Sequence, residues 1–449
     1  MGKIVGAYIF PHPPVAVPEV GRGREAEIKN TLNSFRKSAE EIYGINPDTI
    51  VIITPHAPFF RDFIYVNDSD KILRGNLGRF DAPEVDLQFE NNLELAKKVV
   101  ENALKNGIPA GGLSNEAVRR VLKYPVSLDH GAIVPLYFVN KKAKGFKLVH
   151  ISVADLTYNE LYKFGQCIGK AVEESDTGAD RTVIIASGDL SHSLTWDAPN
   201  GYNEKGKVFD RLIVECVSSG DVEKIVNFDR DLAEEAAECG LRSFIIMFGA
   251  LDGYYLYPEV YSYEGPFGVG YMIAKIKTGK DPYIYLAKLS LETYVKEGKI
   301  IKPPSNLPVE MLESRAGTFV SLKIRGALRG CIGTIYPTRK NIAEEIIYNA
   351  ISAGTRDPRF PPVLERELPL LEYSVDVLKE PEPISSFDEL DVSRYGVIVR
   401  SKGRLGILLP DLEGVNTPLE QVSIALQKGG ISPDEKYVME RFEVIRHKE

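Results

Sequence analysis

Six histidines occur in 449 residues, and three of them follow apolar runs at places where the chain must turn. Lys3 to Phe10 leads into Pro11-His12-Pro13-Pro14, and Thr49 to Thr54 leads into Pro55-His56-Ala57-Pro58. Thr182 to Ala186 is followed by Ser187-Gly188-Asp189-Leu190-Ser191-His192. Imidazole titrates near neutral pH and is the commonest metal ligand, so three of them in like positions point to a metal or acid–base site. Proline beside His12 and His56 stiffens each loop, which suits a group that must be placed in advance. Taken singly, His12 reads equally as part of a rigid loop and His56 as a strand-end residue. Their joint placement favours chemistry.

Other residues join them. Asp129 and His130 form an orienting pair, or Asp129 is a helix N-cap. Gly188 permits a tight turn, and Asp189 is placed to hold an imidazole such as that of His192. His150 sits among Leu148, Val149 and Ile151 and reads as structural, whereas His447 lies in a charged tail and reads as solvent-exposed. A third metal ligand is expected between Asp231 and Ser243. Glu238 precedes Leu241 and Ile245 at helical spacing, which turns it toward the core, and Cys239 is its rival as a thiolate. Two histidines and a carboxylate make the facial triad of non-haem Fe(II) oxygenases, with open positions for substrate and O2. Spacing alone leaves Fe, Zn and Cu open as the metal.

The elements that must carry these residues alternate between strand-like and helix-like through about residue 275, which predicts α/β architecture. Strands are expected near 3–10, 49–54, 145–153, 182–186 and 269–276. Helices are expected from Asn91 to Val100, from Tyr158 to Glu174 and from about Asp229 to Leu251. Residues just past the carboxyl ends of parallel strands are where such sheets bind ligands. The polar, turn-rich Lys277 to Pro282 marks a boundary between domains at 1–277 and 278–449. Beyond it the strands look shorter and hairpin-prone, which predicts a smaller α+β domain with a mixed or antiparallel sheet.

That second domain carries Ala327-Leu328-Arg329-Gly330-Cys331-Ile332-Gly333-Thr334. Cys331 reads either as a buried thiol in a glycine-rich turn or as a nucleophilic or binding thiol, with Arg329 lowering its pKa. Thr355-Arg356-Asp357-Pro358-Arg359 holds two arginines able to pair with Asp357 or with an acidic ligand.

The totals exclude some classes. A net charge of -8 argues against a nucleic-acid surface. No apolar run approaches the roughly 20 residues that span a bilayer. The start of the chain lacks a signal peptide's cleavage site, and Cys167, Cys216, Cys239 and Cys331 form no CxxC pair, so a reducing cytoplasm is the expected setting.

Pro11-His12-Pro13, Thr54-Pro55-His56, Asp129-His130-Gly131 and Ser187 to His192 together resemble the class III extradiol ring-cleavage dioxygenases, the LigB-like group, and their Memo-like relatives, over about residues 1–277. The resemblance implies His12, His56 and Glu238 as ligands of Fe(II), His192 as acid–base catalyst with Asp189, and His130 near substrate or oxygen. The segment Cys239-Gly240-Leu241-Arg242-Ser243 also resembles Memo-like proteins, where a cysteine takes part in the metal site. Leu328 to Thr334 and Asp357 to Pro362 resemble the AMMECR family over about residues 281–449. The expected function is ring cleavage of a catecholic or aminophenolic substrate with O2. One alternative is a Memo-like metal protein without that activity, working with a radical-SAM partner in a modification pathway. A second is a peptide- or small-molecule-binding module. An oligomer is compatible with either.

Overall fold

The runs that end before His12 and His56 are strands of one sheet. In the computed structural model, which describes residues 2–113, 126–175, 181–304, 306–412 and 414–448, β1 (Lys3–Phe10), β2 (Thr49–Thr54), β3 (Lys147–Ser152) and β4 (Arg181–Ser187) are parallel neighbours in the order β3-β2-β4-β1. β5 (Tyr255–Glu264) and β6 (Tyr271–Gly279) extend the sheet beyond β1, with β6 antiparallel to it. All six residues of β2 are buried, as befits a parallel strand covered on both faces.

Alternate residues of each strand serve two separate cores, because side chains in a strand point to opposite faces. Ala7, Ile9, Val51, Ile53 and Ile184 pack with the helices Leu93–Lys105, Tyr158–Glu173 and Leu241–Ala250. Tyr8, Phe10, Ile50, Ile52 and Ile185 pack with Lys29–Ile45 and His130–Asn140. The parallel strands therefore deliver their following loops to one edge of a sheet closed on both sides.

The single helix expected from about Asp229 to Leu251 is two helices, Arg230–Ala236 and Leu241–Ala250. Ala237 adopts a left-handed conformation, φ 53°, and ends the first. A hairpin of Ile72–Leu77 and Ala82–Glu90, and the strand β5, have no counterpart in the expected elements. Among the described residues, no helix is long and apolar enough to cross a membrane.

The chain divides into two compact units, Met1–Thr278 and Gly279–Glu449. The second unit is α+β. Its strands are β7 (Thr318–Ile324), β8 (Ala327–Gly333), β9 (Glu372–Leu378), β10 (Glu382–Ile384), β11 (Tyr395–Ser401), β12 (Arg404–Leu408) and β13 (Val438–Lys448). They pair antiparallel in the order β8-β7-β9-β13-β11-β12, with β10 on β13. The β7–β8 and β11–β12 turns each use two left-handed residues, Arg325-Gly326 and Lys402-Gly403. That geometry matches strand twist and favours glycine in the second place. His447 is not solvent-exposed as its charged surroundings suggested: its Nδ1 lies 2.7 Å from Asp281, and its ring stacks on Tyr283.

Candidate metal centre

Three imidazoles meet at the carboxyl edge of the first sheet. Nε2 of His12 and Nε2 of His56 are 3.0 Å apart. The ring of His130, the first residue of its helix, stacks on that of His56 with centroids 4.2 Å apart. One nitrogen from each ring lies within 4.8 Å of the other two.

The buried His12 is fixed as a tautomer. Its Nδ1 lies 2.9 Å from Ser187 Oγ, whose own proton goes to the Gly131 carbonyl at 2.5 Å. Nδ1 of His12 must then donate, which leaves a lone pair on Nε2. Burial, with the neighbouring imidazoles, holds His12 well below its usual pKa. Withdrawal from solvent lowers His56, and lowers His130 to about 4. All three are neutral near pH 7, the form that binds metals. Two nitrogens on one ion at about 2.1 Å stand roughly 3.0 to 3.4 Å apart. The His12–His56 spacing and the depressed basicity fit a divalent cation.

The turn between the two short helices supplies the neighbouring groups. Cys239 Sγ lies 3.5 Å from His12 Nε2. Burial and the Asp189 and Glu238 carboxylates keep this thiol well above its ordinary pKa, so a cation would be needed to favour the thiolate. Asp189 accepts the His12 backbone N–H at 2.8 Å, and its other oxygen stands 3.8 Å from His12 Nε2 and 3.9 Å from His192 Nε2. Burial raises its pKa to about 7. The turns that carry Asp189 and Cys239 touch backbone to backbone: a Cβ on Gly188 would lie 2.0 Å from Gly240 Cα. Only glycine permits that approach.

His192 is gripped by the same turn. Its backbone N–H donates to Ala236 O at 3.1 Å, and its Nδ1 lies 2.8 Å from Ala237 O. A carbonyl only accepts, so Nδ1 carries the proton and Nε2 faces Asp189 with a free lone pair. That is the state of a general base.

Glu238 is placed elsewhere. Its carboxylate accepts from the Leu241 N–H at 2.6 Å, capping the helix that follows, and stands 3.9 Å from Arg242. Glu238 does turn toward the core, its side chain being 3% exposed, but the break at Ala237 directs its carboxylate to the Leu241 N–H and not to the imidazoles. The structure brings His12, His56 and His130 into one cluster, sets Cys239, Asp189 and His192 beside it, and leaves Glu238 outside.

Several residues of the site carried no signal, or a weak one, in the sequence. Thr54 donates to Asp129 Oδ1 at 2.7 Å, and Asp129 caps the His130 helix through the Ala132 N–H. The cap is therefore real, and no direct Asp129–His130 side-chain bond accompanies it. A cavity of about 370 Å³ opens on the cluster, walled by Val15, Phe80, Phe267, Val269 and Tyr271, with Arg24 at its rim. Its size and apolar walls suit a single ring.

In the second unit, Arg329 does not attend Cys331. Its guanidinium forms a two-point pair with Glu367, at 2.8 and 3.1 Å, and donates to the Pro361 carbonyl. Arg359 is the neighbouring cation, donating to the Cys331 carbonyl at 3.2 Å while it pairs with Asp357. The expected lowering of the thiol is reversed: burial raises the Cys331 pKa.

Comparison with known proteins divides the chain in the same order. Residues 6–274 match the model for the catalytic LigB subunit of aromatic ring-opening dioxygenase, and residues 284–447 match the AMMECR1 model. A protein of Clostridium acetobutylicum is 45% identical over 469 residues, covering 99% of each chain. One of Thermotoga maritima is 49% identical over 172 residues, covering 38% of this chain and 99% of its own. The crystal structure of an uncharacterized Pyrococcus horikoshii protein is 33% identical and covers 37% of this chain and 89% of its own, with a TM-score of 0.36. That of an uncharacterized Escherichia coli protein is 14% identical and covers 60% and 99%, with a TM-score of 0.40.

Proposed function

The chain belongs to the family of the catalytic LigB subunit of aromatic ring-opening dioxygenases, with an AMMECR1 domain behind it, and from that premise we propose that its first unit is an Fe(II)-dependent, extradiol-type dioxygenase of catecholic or aminophenolic rings. The observation that carries this is the cluster of three neutral imidazoles at the floor of an apolar, ring-sized cavity. His12, His56 and His130 would hold the ion, with Cys239 and Asp189 at hand to complete its shell. When bound, a metal there supplies Lewis-acid activation and orients two reactants.

The protein groups do the rest. Phe80, Phe267 and Val269 enclose the ring and exclude water. His192, whose Nδ1 is held by the Ala237 carbonyl so that Nε2 is bare, removes a substrate hydroxyl proton. Asp189 stands next to that nitrogen to receive or share the proton, since burial brings its pKa to about 7. A cytoplasmic setting is proposed with it.

The test is direct. Protein loaded with Fe(II) anaerobically, then given air and a panel of catechols and aminophenols, forms a yellow ring-opened product, and His192→Ala does not. A panel without product, while iron is bound, overturns the reading.

One observation favours a second reading. The atom beside His12 Nε2 is the Cys239 sulfur, not a glutamate oxygen. A thiolate supports a metal protein without ring-opening activity, acting with a radical-SAM partner in a modification pathway.

A further inference from the structure

His150 is the histidine of the first unit that the site above does not use. It sits in the middle of β3, paired in register with Ile52 of β2, and is 1% exposed. An imidazole inside an apolar sheet needs a partner, because an unpaired buried polar group is costly. Its partner is Asp129, at 3.1 Å from Nε2 to Oδ2.

Asp129 uses both oxygens. Oδ2 faces His150, while Oδ1 accepts the Thr54 hydroxyl at 2.7 Å and the Ala132 N–H at 3.3 Å. Asp129 is thus held inside the protein by two side chains.

Its reach extends to two of the three clustered imidazoles. Through the cap it fixes the start of the helix whose first residue is His130. Through Thr54, whose Oγ accepts the His56 backbone N–H at 3.3 Å, it steadies the loop that presents His56. Gly131 is packed into the same knot: a Cβ there would lie 2.4 Å from Thr54 Oγ and 2.8 Å from Asp129 Oδ1.

We infer that His150 and Asp129 are positioning residues for the metal cluster, with His150 acting through Asp129 on His130 and His56. The inference rests on the metal reading of that cluster. His150 touches no proposed ligand. A purely structural role would make its loss lower stability and leave metal affinity unchanged. The positioning role makes metal affinity fall as well, because partners behind a ligand typically contribute about 10- to 100-fold.

The test is Co(II) binding to the full chain, followed by its visible absorption, in wild type, His150→Leu and His150→Gln. Gln keeps an N–H donor for Asp129, and Leu does not. The expected result is a loss of at least about 10-fold in Co(II) affinity for Leu, with an altered band, and recovery to within about 3-fold for Gln. Thr54→Val tests the second arm and should weaken Co(II) by a similar factor, so the test survives if His150→Leu fails to fold. Wild-type Co(II) affinity in both folded His150→Leu and Thr54→Val overturns the inference alone. Wild-type protein that binds no Co(II), Zn(II) or Fe(II) overturns the metal reading and this inference with it.

Discussion

Cys239 Sγ stands 3.5 Å from His12 Nε2, while the adjacent Glu238 turns its carboxylate away to the Leu241 N–H. One residue of chain separates a group beside the metal cluster from a helix cap. The difference is testable by exchange at each position. Cys239→Ala should lower Zn(II) or Co(II) affinity by about 10-fold or more, since a soft ligand is removed from the ion's shell. Glu238→Gln keeps an oxygen that accepts the Leu241 N–H, so it should leave that affinity within about 3-fold and change stability by less than about 1 kcal/mol. Titration of both variants with metal, alongside urea unfolding, checks the pair. Loss of metal from Glu238→Gln alone would restore the carboxylate as a ligand.

Asp210 gives a pH dependence that can be isolated. It is fully buried, accepts the Ser191 N–H at 2.8 Å and the Tyr263 hydroxyl at 2.7 Å, and burial raises its pKa to about 7. A carboxyl whose folded pKa exceeds its unfolded one binds more protons when folded. Its contribution to stability is then greatest below about pH 4 and is lost as pH rises to about 7. The neutral, low-pKa histidines act in the opposite sense below about pH 6.5. Comparing metal-free wild type with Asp210→Asn removes that common background. The difference in unfolding free energy should change between pH 4 and 7, by a few kcal/mol in order of magnitude, and be flat above about pH 7.5. A difference constant over that range would show that Asp210 is ionised throughout.

The sequence made the strand-borne half of the site legible, and physics explains which half. β1, β2 and β4 are apolar runs bounded by Pro or Gly, so both the strands and the histidines after them could be read directly. The break at Ala237 could not. Leu232-Ala233-Glu234-Glu235-Ala236-Ala237-Glu238 is made of good helix formers, and propensity gives no sign of one left-handed alanine just before the close approach of Gly240 to Gly188. His150 was hidden for another reason. Its apolar sequence neighbours identify a buried strand, but its partner Asp129 lies 21 residues away and meets it only in the folded sheet. In the second unit, the hairpins announced themselves through Arg325-Gly326 and Lys402-Gly403, whereas the partner of Arg329 lies 38 residues along.

Arg329 should therefore act on stability and not on the chemistry of Cys331. Its side chain is 13% exposed and holds Glu367 with two parallel bonds. Arg329→Ala leaves that carboxylate without its cation and frees the Pro361 carbonyl. A loss of about 2 kcal/mol is expected in denaturant unfolding. The rate at which Cys331 reacts with a neutral maleimide, followed against pH in native conditions, should keep its midpoint above that of a free thiol in both proteins. A midpoint that rises on removing Arg329 would show that the guanidinium does reach the sulfur.

The last test concerns Ala237, the residue that ends one helix and whose carbonyl fixes the His192 tautomer. A β-carbon at φ 53° is strained, by about 1–2 kcal/mol relative to a right-handed residue. Glycine escapes that strain but has more freedom to lose on folding, about 0.5–1 kcal/mol. The balance predicts that Ala237→Gly stabilises the first unit slightly, by about 0.5 kcal/mol, and Ala237→Val destabilises it by at least about 1 kcal/mol. The backbone carbonyl survives both changes. His192 should keep its protonated Nδ1 in the glycine variant, readable as an unshifted imidazole nitrogen signal in NMR of labelled protein. The valine variant should disturb that signal, because a branched side chain forces the turn to rearrange. If glycine destabilises the protein and valine does not, the left-handed turn is not what holds His192 in place.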